Sequence, residues 1–412
     1  MRRGAPAWLA GITYLPFGLF SGFPMIAMPF LLTARGVSLD HVAAITSVVL
    51  IPTFTGFLVV PMVDCGLSRR TWALIWAAWL GICAAGGILL LDRAAAGHAI
   101  GFTALLTAGS LGAQLYGSTM GGMTPNLIKE EDTAAASTWL NISNLGGLGL
   151  GGQMGILAVG HLGLHWGALV VGTVIAAPAM LLFVLGRERR VPRGFGETMR
   201  RLFPDLWAVS RTRAALIGLL IFITPAAPFA AINLFSGLGH DFHTSNATTT
   251  WLTGAGNSLL CCVGAFVGGW IADRMDRRTL FVGTGIVAAF ASIGMAFGPR
   301  TAVVFCVGVG FYYLMAGINF VACSAAAFDI MGVDNPLSAT QYALLMAACN
   351  VAIETVVVSD GRGYAHFGAK GLLMTDALFS LVTGAIMLIV IHLWGGTGRE
   401  HHVSVDAAAE MV

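Results

Sequence analysis

The sequence predicts an all-α membrane protein of twelve transmembrane helices in two six-helix pseudo-repeats. Three observations carry this expectation. First, 57 % of the 412 residues are hydrophobic and only 10 % are charged. A soluble domain averages about 25 % charged, so a chain this poor in charge needs lipid as the solvent for most of its surface. Second, the charged residues are separated by apolar stretches of roughly 20 residues, the length a helix needs to cross a hydrocarbon core. Third, the two halves of the chain echo each other at an offset of about 200 residues.

Taken in order, the first span, 8–33, lies between Arg3 and Arg35. The second, 41–63, runs from Asp40 to Asp64. The third, 71–91, is bounded by Arg70 and Asp92, and the fourth, 99–123, by His98 and Lys129. One long apolar run after Asp132 splits at turn-like residues into 136–160 and 166–186. The seventh span, 214–238, precedes His240 and Asp241, and the eighth, 249–272, ends at Asp273. Arg278 and Arg300 frame 279–298. The tenth, 301–327, stops before Asp329. The eleventh, 338–359, contains Glu354, and the twelfth, 374–396, stops before Arg399. Several spans hold internal glycine and proline, which membrane helices tolerate better than soluble ones.

Orientation follows from the Lys and Arg count in the loops. With the N-terminus in the cytoplasm, 17 of the 22 fall inside, and Arg35, Arg93, Arg300, Arg362 and Lys370 fall outside. Both termini are therefore expected in the cytoplasm. The Arg-rich stretch "GRERRVPRGFGETMRRLFPDLWAVSRTR" follows the sixth span and divides the chain six plus six. The expected organisation is a bundle over 1–186, a cytoplasmic linker over 187–213, a second bundle over 214–398 and a tail over 399–412. Basic clusters attract anionic headgroups, but a plain linker obeying the orientation rule is the preferred reading. No cleavable signal peptide is expected, because the first apolar run is too long for one.

After the second span stands "VDCGLSRRTWAL", from Val63, and after the eighth "ADRMDRRTLFV", from Ala272. Before the fifth stands "EEDTAAASTWL", and before the eleventh "VDNPLSATQYALL". Parallel six-helix repeats with a substrate site at their interface form one large transporter architecture.

Specific motifs carry a resemblance. "GGWIADRMDRR", from Gly268 to Arg278, resembles the loop signature of the major facilitator superfamily: Gly269, Asp273, Arg274, Arg277 and Arg278 match, and Asp276 replaces the usual glycine. The first-half copy, Asp64 to Arg70, is degenerate. "LFSGFPM", "ARGVSLDHVA", "VPMVD…SRR" and "SATQYALLMA" resemble the AmpG-like permeases within the peptide, acetyl-CoA and drug transporter group. That group includes anhydromuropeptide permeases and, nearby, inner-membrane siderophore permeases. Its usual acids in the fourth span are not present here, where "GAQLYGSTMGGM" offers Gln114. The resemblance implies a monomeric, multi-pass carrier of the bacterial inner membrane. It also implies that the first, fourth, seventh and tenth spans line a central cavity.

Glu354 is the first candidate for chemistry. A carboxylate costs several kcal/mol in apolar surroundings unless it is paired or hydrated. Asn350, four residues earlier, shares its helix face, and such a face is expected to point into the bundle or a water-filled cavity. Burial favours the neutral carboxyl group, so Glu354 is a candidate for proton coupling; a hydrated or hydrogen-bonded structural acid is the plainer alternative. The substrate cavity is assigned to Tyr14, Gln114, Tyr116, Asn141, Asn233, Asn257, Tyr312 and Asn319, because amides and phenols suit a solute with many hydroxyls and carbonyls. Each amide alone is as readily helix–helix glue. Asp64, Arg69, Arg70, Asp273, Arg274, Arg277 and Arg278 form the expected gating loops. In them Asp273 is expected at the start of the eleventh span, favoured by the helix dipole, and Arg277 and Arg278 against Asp329 or Asp334.

No metal site or cofactor is expected. The seven cysteines form no CxxC pair and read as packing residues. "NLGGLGLGGQMG", over 144–155, lies inside a span with no preceding strand, so it reads as close helix packing rather than a dinucleotide loop. A net charge of +2 gives no field for nucleic acid. The expected function is secondary transport, not catalysis: proton-driven import of a mid-sized polar solute, muropeptide-like or a siderophore. Export of drugs or metabolites, a solute sensor, and an intramembrane enzyme built on "HDFH" (His240 to His243) are the rival readings.

Overall fold

The computed structural model describes residues 5–184, 196, 200, 204, 213–333, 335 and 337–394. Most of the expected linker, all of the expected tail and Asp334 lie outside the described residues. Every element among the described residues is helical. In chain order these are α1 (Ala7–Gly22), α2 (Met28–Thr33), α3 (Leu39–Thr55), α4 (Arg69–Leu89), α5 (Leu91–Ala95), α6 (Ala99–Leu127) and α7 (Thr133–Ala176). They continue with α8 (Arg213–Ile223), α9 (Phe235–Leu238), α10 (Asn246–Trp251), α11 (Asn257–Ala272), α12 (Arg277–Phe297), α13 (Ala302–Met331) and α14 (Ser338–Trp394).

Eight helical stretches among the described residues are long and apolar enough to cross a membrane. Two of them are far longer than one crossing. Helix α7 bends at Gly163, with φ 73°, and α14 at Gly368, with φ 62°. Both values lie in the left-handed region that only glycine enters without strain. The bends fall in the gaps expected between the fifth and sixth spans and between the eleventh and twelfth.

The expected seventh span is not one helix. Helix α8 stops at Ile223, Phe229 takes a left-handed conformation (φ 48°), and a tight turn over Ala230–Asn233 leads to α9. Pro225 and Pro228 cause the break: each lacks an N–H, and each disfavours helix at the residue before it. Milder interruptions have the same origin. Wider turns at Phe23–Ala27 follow Pro24, and α3 gives way to tight turns around Pro61.

Lipid as solvent is visible in the surface. Leu150, Trp270, Val307 and Leu378 are each more than 60 % exposed, and apolar patches on this scale do not persist on a monomer in water. Small residues let helices approach inside. Gly151 leaves no room for a Cβ against Leu19 of α1, so the glycine-rich stretch of α7 does serve close packing. Helices α1, α4, α6 and α7 pack together, and α11 to α14 form a second group. The groups meet where α7 lies against α11 and α13, and where α6 lies against α14.

The sequence echo has a local physical meaning. Ser68 Oγ accepts from Thr71 N at 3.2 Å, and Asp276 Oδ2 accepts from Thr279 N at 2.8 Å. In both copies the residue before the two arginines caps a helix, and the threonine supplies the capped amide.

Candidate functional site

Between the two groups lies a cavity of about 250 Å3. A single water needs only about 10–15 Å3 on such a measure, so the space is solute-sized. Of the expected cavity residues, Tyr14, Gln114, Asn141 and Asn319 line it, joined by Asn144 and by Asn350 from the expected coupling pair.

The amides divide by what they already hold. Asn141 Nδ2 donates to Ser137 O at 2.8 Å and, across the interface, to Phe320 O and Ser324 Oγ at 3.1 Å each. Asn319 Nδ2 donates to Phe281 O at 2.9 Å and Thr284 Oγ1 at 2.8 Å. Their donors bind helices together, whatever their oxygens offer the cavity. Gln114, Asn144 and Asn350 are the amides freer to turn toward a solute.

The remaining expected cavity residues lie elsewhere. Tyr116 is fully buried and donates to Thr13 O. Asn233 is exposed, because the broken seventh span turns it outward. Asn257 is half-buried and accepts from Cys261 Sγ at 3.2 Å. Tyr312 donates to Asp376 Oδ1 at 2.8 Å, away from the cavity.

Glu354 and Asn350 part company at the cavity. Glu354 is exposed and does not line the cavity, whereas Asn350 does. A separation of four residues turns a helix by about 400°, so the two faces differ by some 40°. That suffices here for one to line the cavity and the other not to.

Beside the cavity-lining Tyr342 and Ala343, the first gating loop docks on the start of α14. Asp64 and Arg69 are both 0 % exposed. Asp64 Oδ1 accepts from Arg69 Nε at 3.1 Å and Nη2 at 2.8 Å. Its Oδ2 accepts from Thr340 N at 2.8 Å and Thr340 Oγ1 at 2.7 Å. Thr340 is in the first turn of α14, so the carboxylate caps a helix of the other half and meets the positive end of its dipole. Arg69 Nη2 also reaches Asn335 O at 3.1 Å, and Ser338 Oγ donates to Gly122 O at 2.7 Å. This corrects the expected latch: Asp64, not Asp273, meets the start of the eleventh span. Asp273 is exposed. Arg277 does pair with Asp329, as expected, but within the second half. Arg274 folds over Trp270 of its own helix, its guanidinium 4.2 Å from the ring, and Arg70 lies over Phe183 at 4.7 Å. Arg278 is half-exposed.

Two thiols face each other in the cavity wall: Cys323 Sγ and Cys349 Sγ are 3.7 Å apart. At "HDFH", His240 and His243 are exposed and Asp241 accepts from Tyr364 Oη at 2.9 Å. Among the described residues no three His, Cys, Asp or Glu side chains are placed to hold a metal. Sequence reasoning missed Asp360 and Asp376, both 0 % exposed. The signal was present for Asp376, which stands inside the expected span 374–396 as Glu354 does inside its own.

A family model described as Major Facilitator Superfamily matches residues 10–353. No curated protein matches the chain. Several solved structures share the fold. The human organic anion transporter is 17 % identical, with a TM-score of 0.66, over 92 % of this chain and 98 % of that one. The proton:xylose symporter XylE is 14 % identical, with a TM-score of 0.68 and 94 % of each chain covered. The transporter FucP, in an outward conformation, is 13 % identical with a TM-score of 0.69 over 95 % of this chain and 98 % of that one.

Proposed function

This chain belongs to the major facilitator superfamily, and from that premise we propose that it is a secondary active transporter working by alternating access. The observation that carries the proposal is the solute-sized cavity between the halves, with the Asp64 dock beside it. Twelve spans in two six-helix repeats fit the bends at Gly163 and Gly368, which turn two long helices into four arms. On this reading the halves are 1–186 and 214–398, joined by the linker 187–213, and the chain acts as a monomer. By the Lys and Arg count, the docked end faces the cytoplasm, which makes the described state outward-facing. The location follows as a bacterial inner membrane with both termini in the cytoplasm.

The solute is a polar molecule of the AmpG-like class, muropeptide-like or a siderophore, imported with protons. Amides and phenols without a fixed charge line the cavity, which suits neutral hydroxyl-rich or amide-rich ligands. The similar carriers are named for xylose in one case and organic anions in another, so the uptake test needs a broad panel. Purified protein in proteoliposomes is given labelled anhydromuropeptide, siderophores and neutral sugars, with and without an inward proton gradient. Gradient-stimulated accumulation of one class is the expected result. No accumulation of any solute, with uptake only from inverted vesicles, would identify an exporter instead.

A further inference from the structure

Asp360 and Asp376 lie on the two arms of α14, each eight residues from the bend at Gly368. Below that bend the arms pass very closely. A Cβ on Gly363 would stand 2.8 Å from Gly371 O and 2.6 Å from Thr375 Oγ1. Glycine at this crossing brings the two carboxylates level and within each other's field. Both are sealed from solvent, and neither lines the central cavity.

Their environments differ. Asp376 Oδ2 accepts from Ser292 Oγ at 2.8 Å, its Oδ1 accepts from Tyr312 Oη at 2.8 Å, and the backbone of Ala231 adds a further bond. Both oxygens of Asp360 are buried without a hydrogen-bond partner. Among the described residues no Lys, Arg or His pairs with either acid. Two cations of the adjoining loops lie against rings: Lys370 Nζ is 4.3 Å from the centre of Phe297, and the Arg300 guanidinium, whose Nη1 is buried without a hydrogen-bond partner, is 4.7 Å from that of Phe242. Arg362 and His366 are exposed. The polar groups facing the pair are therefore Ser292 from α12, Tyr312 from α13 and the backbone at Ala231 in the broken seventh span.

Two adjacent buried carboxylates with no cation cannot both stay charged. We infer that Asp360 and Asp376 form a buried proton site, in which Asp360 carries the proton and Asp376 stays the anion held by Ser292 and Tyr312. The step is simple to balance. One proton from water adds to an Asp360 carboxylate oxygen, the pair's charge goes from −2 to −1, and release returns that proton to water. The site touches the broken seventh span. Ala231 follows the left-handed Phe229, and the Phe229 and Phe235 rings both stand 5.1 Å from Tyr312. Charging Asp360 therefore strains the contact between the α14 hairpin and the broken span. Its use for coupling rests on the transporter reading; proton binding itself does not.

Infrared difference spectroscopy of the purified full-length protein tests the site without any solute. The wild type should show the C=O stretch of a protonated carboxyl group that disappears on alkaline titration and shifts in deuterium oxide. Asp360→Asn should remove that band, and Ser292→Ala, which keeps both acids, should displace its titration. A band unchanged in both variants overturns the proposal. Displacement of the wild-type band by sodium at constant ionic strength would also overturn it, in favour of a metal-cation site. In proteoliposomes, gradient-driven uptake that survives Asp360→Asn would sink the coupling role while leaving transport standing. An Asp360-dependent band in a protein that moves no solute would sink transport and leave the proton site.

Discussion

Asp64, in the first half of the chain, caps the first turn of α14 in the second half, accepting from both the amide and the hydroxyl of Thr340 at 2.8 and 2.7 Å. The same carboxylate is paired with Arg69, so one residue joins an ion pair to an inter-half cap. Removing one member of a buried pair leaves an uncompensated charge and costs about 3–5 kcal/mol. Asp64→Asn should therefore open this dock. A cysteine placed at Thr340 should become labelled by membrane-impermeant maleimide at least tenfold faster in that background than with Asp64 intact. Equal labelling rates would show that the dock does not hold this state.

Asp273→Asn provides the contrast. Its carboxylate is exposed, and substitutions of that kind usually stay within about 0.5 kcal/mol. Arg277→Gln should cost no more than about 1 kcal/mol, since its pair with Asp329 is partly exposed. Thermal unfolding in detergent should rank Asp64→Asn well below both. A large loss in Asp273→Asn would mean that its loop is engaged in ways the exposed side chain does not reveal.

The cavity amides should separate into two kinds. Gln114→Leu and Asn350→Leu should raise KM severalfold with little change in melting temperature. Asn319→Leu removes two inter-helix hydrogen bonds, to the Phe281 carbonyl and to Thr284, each worth about 0.5–1.5 kcal/mol net, while Thr284 Oγ1 still donates to the Phe281 carbonyl. That variant should melt lower whether or not solute affinity changes. Melting curves and uptake kinetics on the same preparations check the division.

Much of this was legible in the sequence. The capped "RRT" starts of α4 and α12 come from local hydrogen-bonding rules, and the loop gaps marked both bends. What could not be read was which copy of a repeated loop engages. Asp64 and Asp273 share neighbours in sequence, and only the packing of the turn Val60–Asp64 against α14 buries one of them. Side-chain direction failed for a similar reason. Asn350 and Glu354 share a helical face to within some 40°, but the cavity edge falls between them. The break in the seventh span is written in Pro225 and Pro228, whose effect on the backbone is one that hydropathy does not register.

Glu354→Gln should leave gradient-driven uptake intact, because its side chain is exposed and does not line the cavity. Paired measurements with Asp360→Asn make the comparison direct. If the Glu354 variant alone loses its response to the gradient, the coupling group is the exposed acid rather than the buried pair.

Cys323 and Cys349 offer a chemical test of the moving parts. Both lie in the second half, on α13 and α14, so joining them constrains no motion between halves. Copper-catalysed oxidation should cross-link them with uptake largely retained, while a bulky maleimide on Cys349 should fill the cavity and block uptake. Strong inhibition by oxidation alone would show that α13 and α14 move against each other during transport.

The burial of the Asp64–Arg69 pair has a consequence for screening. Mobile ions weaken charge interactions over about 8 Å at physiological salt, but they act through water. Both side chains of this pair are fully enclosed, whereas Arg277 and Asp329 are 17 % and 45 % exposed. The two loops thus respond unequally to the electrolyte around them. Rising salt loosens the second loop and leaves the first as tight as before.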